Sequence, residues 1–184
     1  RIVAMMQFNM YHHYTVDEHL LRAVGALCDF ESGRASKDQA KIAEVLPAIM
    51  NRKVLYLGLF LHDIAKGRQE DHSIAGMTVA RSLCPRLGFT PGETDTVAWL
   101  VEHHLTMSTY AQSRDISDPT TIENFAAIVQ TLERLKMLLV LTLCDISAVG
   151  PGVLDAWKAQ LLLSLYWETE IVLAGGHSAV DRKS

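Results

Sequence analysis

Apolar residues recur along this chain with the three-to-four-residue spacing of helices nearly throughout, and no stretch reads as a β-hairpin. A first helix is predicted after Thr15. There Thr15-Val16-Asp17-Glu18 offers a cap with early acidic residues, and Leu20, Val24 and Leu27 form an apolar side through about Phe30. Glu31-Ser32-Gly33 breaks that pattern. A second helix is expected over Lys37 to Met50, bent at Pro47. Arg52 to Ala65 is apolar on several sides (Val54, Leu55, Leu57, Leu59, Phe60, Leu61), the mark of a central buried helix, and Gly67 is a natural stop. Further helices are expected from about His72 to Leu87, from Thr90-Pro91-Gly92-Glu93 to about Met107, and from Pro119 to about Thr131. Two more should cover Glu133 to Ala148 and Leu154 to Ala174. Thr109 to Pro119 is polar and reads as a loop, Gly150-Pro151-Gly152 as a stop, and the tail after Gly175 as a frayed end. The fold class is therefore all-α: a helical bundle with a long C-terminal helix.

Composition narrows the setting. A length of 184 residues suits one domain spanning 1–184, and a hydrophobic content of 49% is enough to fill its core. The net charge of -4 leaves no basic footprint, so no nucleic-acid partner is expected. No window resembles a signal peptide or membrane span; the most apolar run, Leu135 to Leu143, contains Lys136 and leads into Cys144-Asp145. Cys28, Cys84 and Cys144 are scattered, without a C-x-x-C pair, which excludes a zinc knuckle or redox motif and fits a reduced, cytoplasmic setting. The chain opens at Arg1 and enters an apolar segment at once, so it is expected to be a fragment of a larger multidomain enzyme.

The candidate chemistry lies where histidines and carboxylates fall on apolar helices. His19 follows Asp17-Glu18, His62-Asp63 interrupts Phe60-Leu61…Ile64-Ala65, and His72 follows Asp71. His103-His104 follows Trp99-Leu100-Val101-Glu102, and Asp145 ends a run of leucines. Ionised carboxylates in such surroundings are costly to bury unless paired or bound to metal. Imidazoles with carboxylates suit Zn, Mn, Fe, Ni or Co, and carboxylate-rich sites also accept Mg. Neighbours on a helix diverge by about 100°. His62 can thus face one metal while Asp63 lies between two, and His103 with His104 could embrace a second. Lys66, one turn from His62 and Asp63, can reach a phosphate oxygen there.

A histidine, then His-Asp, then a distal aspartate on separate helices resembles the HD phosphohydrolase superfamily, and the added histidines resemble its binuclear members. A closer resemblance is to the hydrolase domain of the PII uridylyltransferase/uridylyl-removing enzymes. It rests on Tyr11-His12-His13-Tyr14-Thr15-Val16-Asp17-Glu18-His19, Leu61-His62-Asp63-Ile64-Ala65-Lys66-Gly67, Asp71-His72-Ser73-Ile74-Ala75-Gly76 and Val101-Glu102-His103-His104-Leu105. It continues through Arg114-Asp115-Ile116-Ser117-Asp118-Pro119 and Leu141-Thr142-Leu143-Cys144-Asp145-Ile146. The resemblance implies an HD-domain bundle with a metal site of His19, His62, Asp63 and Asp145, and a second ion held by His72, His103 and His104. It implies one or two divalent ions, Mg or Mn foremost. The implied catalytic residues are Asp63, Lys66 and His72. The implied reaction is deuridylylation of PII with release of UMP, and the implied partners are uridylylated PII and the nucleotidyltransferase and glutamine-sensing domains of a parent chain.

Plainer readings stand beside these. Asp71-His72 can simply cap a helix, and Lys66 can simply favour a helix C-terminus. His12 and His13 read as exposed loop residues before the first helix, and Arg114-Asp115 as either a loop anchor or a substrate contact. Hydrolysis of a free nucleotide (an alarmone, a cyclic dinucleotide or a 5'-nucleotide) is the second enzyme reading, although the Gly-Tyr-Pro block of the cyclic-dinucleotide group is absent. An oxygen-activating chemistry on two irons, as in some HD-like proteins, is the third reading, and a non-catalytic docking module is the fourth.

Overall fold

The computed structural model describes residues 14–34, 42–68 and 71–180. The helices are α1 (Val16–Glu31), α2 (Ile42–Val45), α3 (Arg52–Leu61), α4 (His72–Leu83) and α5 (Pro91–Glu102), then α6 (Thr106–Ser113), α7 (Pro119–Val129), α8 (Leu132–Val149) and α9 (Ala156–Val180). No β-strand occurs among the described residues. None of their helices is long and apolar enough to cross a membrane.

The core forms around α8. Every side chain from Met137 to Cys144 is buried, so this helix is apolar all round and is covered on several sides. α1 and α3 pack on it from one side and α9 from another, while α5 bridges α3 and α4. Leu20, Ala23 and Leu27 of α1 and Val54, Leu55 and Leu59 of α3 supply the inward stripes, as their spacing predicts.

Several ends differ from expectation for local reasons. The Arg52 helix stops at Leu61, and residues 62–67 form turns that close on Gly67 with φ +87°. Pro47 sits in a 3-10 turn, Leu46–Ala48, and the predicted start of that helix at Lys37 lies outside the described residues. The His72 helix tightens into a 3-10 turn at Cys84–Leu87, ended by Gly88 in the left-handed region. The helix from Pro91 ends at Glu102, and a turn at 103–105 separates it from α6. Part of the expected polar loop after Thr109 is therefore helix. Met107 and Ala111 of α6 are buried and Tyr110 is half-buried, an i, i+3, i+4 stripe that packs towards α9. The last helix continues through Gly175 to Val180.

Two glycines let the helices that carry the site approach closely. A Cβ at Gly58 of α3 would lie 2.9 Å from Leu100 Cδ1, and one at Gly76 of α4 would lie 2.8 Å from Val101 Cγ1. The start of α5 is closed by a full capping box, whose glutamate also ties it to α3. Thr90 Oγ1 accepts from the Glu93 amide while the Glu93 carboxylate accepts from the Thr90 amide. The same carboxylate receives Asn51 Nδ2 and Lys53 Nζ, each at 2.9 Å. The Lys53 ammonium foremost, then the Thr90 amide and Asn51, hold the Glu93 carboxyl down at about 2.

Gly58→Leu is expected to destabilise the fold by about 1–3 kcal/mol through overpacking against Leu100, read as a lower Tm and denaturation midpoint. Because the folded-state pKa of Glu93 is depressed, its contribution is fully present above the ordinary carboxylate range and is lost as pH falls towards about 2. Denaturation curves across pH 2–6 should show Glu93→Gln losing less stability on acidification than the parent; parallel curves would refute this.

Candidate metal centre

The end of α3 builds the centre. His62 is the C-cap residue, fully buried, and Asp63 follows in the turn. Ending the helix here frees the backbone to aim both side chains inward. His62 Nδ1 lies 2.6 Å from the Leu59 carbonyl, and His104 Nδ1 lies 2.7 Å from the Val101 carbonyl. A carbonyl only accepts, so Nδ1 carries the proton in both rings. In the neutral imidazoles Nε2 then offers its lone pair, as in histidines that bind metals.

Two groups of three donors result, each with its ligand atoms within 4.8 Å of one another. The first joins His19 of α1, His62, and Asp145 of α8. His19 Nε2 lies 2.9 Å from Asp145 Oδ1 and 3.3 Å from His62 Nε2, and His62 Nε2 lies 3.3 Å from Asp145 Oδ1. The second joins Asp63, His72 of α4, and His104 in the turn after α5. Asp63 stands between them. Its Oδ2 lies 3.9 Å from His19 Nε2 and 3.8 Å from His62 Nε2, while its Oδ1 lies 3.5 Å from His104 Nε2 and 3.9 Å from His72 Nε2. Lys66 Nζ closes the array, 2.7 Å from Asp63 Oδ2.

His19, His62, Asp63 and His104 are each 3% exposed or less, so the charges interact with little screening. Burial by itself would raise the Asp63 and Asp145 carboxyls. The imidazoles, with Lys66 at Asp63, outweigh it and hold both well below the carboxylate range. Burial would likewise lower His62, yet Asp145 and then Asp63 bring it up to about 9. A proton there does the neutralising work that a cation would do. Asp63 Oδ1 is buried and makes no hydrogen bond among the described residues. A buried carboxylate oxygen without a donor, facing two imidazoles, fits a divalent ion. His72 is half-open and its pKa is lowered, by burial first, which keeps it neutral near pH 7.

The remaining expected residues fall elsewhere. His103 belongs to neither group: its ring lies 5.0 Å from that of Trp99, its Nδ1 is 3.2 Å from Thr106 Oγ1, and its Nε2 is 3.8 Å from Glu102. Neighbouring residues diverge at the end of a helix, and the turn that points His104 inward points His103 at the α5–α6 surface. Asp115 accepts from the Ser117 amide and hydroxyl at 2.9 and 2.7 Å, which makes it a loop anchor. His12 and His13 lie outside the described residues. Sequence reasoning missed the carbonyls of Leu59 and Val101. The signal was present, since each stands three residues before its histidine at the last turn of an apolar helix.

The HD domain family model matches residues 16–139, and the chain belongs to that family. The match ends before Asp145, which the fold nonetheless brings against His19. The chain is 62% identical over 184 residues, 99% of its length, to a bifunctional uridylyltransferase/uridylyl-removing enzyme of Bradyrhizobium diazoefficiens. It is 61% identical over 185 residues to the protein of the same name from Nitrobacter winogradskyi. It spans 20% of the length of each of these relatives. Family and donor set together support a metal-dependent hydrolase.

Metal analysis after equilibration with Mn should separate the histidines. His104→Ala is expected to lose one of two ions per chain, and His103→Ala to keep both. Equal loss in the two variants would contradict the geometry.

Proposed function

We propose that this domain hydrolyses the phosphodiester joining UMP to a tyrosine of the regulatory protein PII, releasing UMP and unmodified PII. The observation that carries the reading is Asp63, with one oxygen towards each three-donor group and the Lys66 ammonium on its edge. That arrangement suits a phosphoryl group held by two ions, with a cation beside it. The identity with uridylyl-removing enzymes along nearly the whole chain supports the choice of substrate. In this reading the nucleotidyltransferase and glutamine-sensing functions belong to other parts of a longer chain.

His19, His62 and Asp145 would hold one ion, and Asp63, His72 and His104 the other, with Mg or Mn as the ions. Bound divalent ions supply Lewis acidity, lowering the pKa of water and offsetting phosphoryl charge. The chain's residues do the rest. Leu59 and Val101 keep the His62 and His104 lone pairs facing inward. Lys66 offsets charge that grows on a phosphoryl oxygen in the transition state. The leaving tyrosinate has a conjugate acid with a pKa of about 10, so strong acid assistance is unnecessary. Where its Nε2 is not holding an ion, His72, the half-exposed imidazole of the centre, can pass a proton to solvent.

Incubation with uridylylated PII and Mn, then Mg, should release UMP, and Asp63→Ala should abolish release. Lys66→Ala should lower kcat by roughly 10²–10³ with little change in KM, the scale for removing one transition-state donor. Metal retention without UMP release from the full-length chain would sink the substrate assignment.

A further inference from the structure

A groove of about 460 Å³ lies between α1 and the C-terminal end of α8, outside the two donor groups. Arg22 and Ala148 line it, three residues beyond His19 and Asp145 respectively. On each helix the lining residue thus lies about 4.5 Å of axial rise beyond a donor of the centre. A substituent on a phosphorus held at the centre would extend over a span of that order. We infer that this groove binds the nucleoside of the uridylyl group, and so selects a nucleoside ester among phosphodiesters. The inference rests on the reading of the centre as a site that releases UMP.

Four features of the groove support it. The Arg22 guanidinium lies 3.6 Å from the centroid of the Tyr14 ring and is fixed from the other side by Glu18 Oε1, at 2.9 and 3.0 Å. This ordered guanidinium–phenol stack gives a flat wall for a planar base. Ser147, also on the lining, carries a buried Oγ with no hydrogen-bond partner among the described residues. Such a hydroxyl is costly to leave unpaired, and a turn about its side-chain bond would offer it to a ligand. At the far end Arg34 donates to Asp29 at 3.0 Å, which places a donor beside an acceptor. The edge of uracil, an N–H between two carbonyls, matches such a pair.

The fourth feature is Gly25. It sits in the middle of α1, where glycine costs about 0.5–1 kcal/mol relative to alanine. No positive φ requires it, and an added Cβ would meet nothing within 4 Å among the described residues. Packing and backbone geometry therefore leave the glycine unexplained, whereas an open groove floor accounts for it. The volume lies within the usual range for small-ligand sites, about 300–1,000 Å³.

The test uses the full-length Mn-loaded enzyme, with UMP and inorganic phosphate as probes in equilibrium titrations. Gly25→Leu fills the groove while improving helix propensity, so it should fold at least as well as the parent. It is expected to weaken UMP binding tenfold or more and to leave phosphate binding unchanged. Ser147→Ala should weaken UMP binding about fivefold, the scale of one hydrogen bond, again without effect on phosphate. Unchanged UMP affinity in both variants, or an equal loss of UMP and phosphate, overturns the inference. If these shifts appear but uridylylated PII is not cleaved, the groove stands as a nucleotide site and the deuridylylation reading fails. If cleavage occurs with no shift, the groove fails alone.

Discussion

Two carboxylates, Asp63 and Asp145, stand within a few ångströms of each other's partners in the apolar interior of the bundle. Most of the local architecture answers that charge. Carboxylates at such depth are tolerated only with compensating charge or metal. Here the compensation is assembled from four separate parts of the chain, α1, the end of α3 with its turn, α4 and the turn after α5, while α8 brings in one of the carboxylates. No single helix supplies it, so the centre exists only when the bundle is packed. Its charge state and the relative placement of these helices are consequently one problem.

Close packing solves that problem. Gly58 admits Leu100 against α3, and Gly76 admits Val101 against α4. These contacts draw the end of α5 towards the turn that holds Asp63. Val101 has a double part, since its side chain meets Gly76 while its carbonyl orients His104. Leu59 likewise packs in the core while its carbonyl orients His62. The backbone that seals the core is thus the backbone that aims the imidazoles, and a shift in one is felt in the other.

The surroundings of the centre are asymmetric. Lys66 lies at Asp63 Oδ2, and the α1–α8 groove opens beyond His19 and Asp145. A phosphodiester has two different substituents on one phosphorus. In the proposed reading, a centre with distinct flanks would hold such a substrate in one orientation and so position the scissile bond before any chemistry begins.

Much of this was legible in the sequence. The all-helical class follows from the spacing of apolar residues, and α1 and α8 lie where their apolar patterns put them, although the Thr15 side chain does not cap α1. The His19, His62-Asp63, His72 and Asp145 positions stood out because charged and imidazole groups on apolar helices demand a partner. Local pattern could not decide where a helix yields to a turn. The apolar stretch through Ala65 reads as one helix, yet the chain turns at His62, where inward-facing donors and the stop at Gly67 prevail over propensity. Nor could it choose between His103 and His104. Adjacent residues carry the same local signal, and only the packing of α5 against α3 and α4 turns one ring to Asp63 and the other to Trp99. Sequence by itself determined the elements and the kinds of donor, because periodicity and burial cost are local properties. Tertiary structure alone decided which donors meet, because a metal site is a set of distances between residues far apart in the chain.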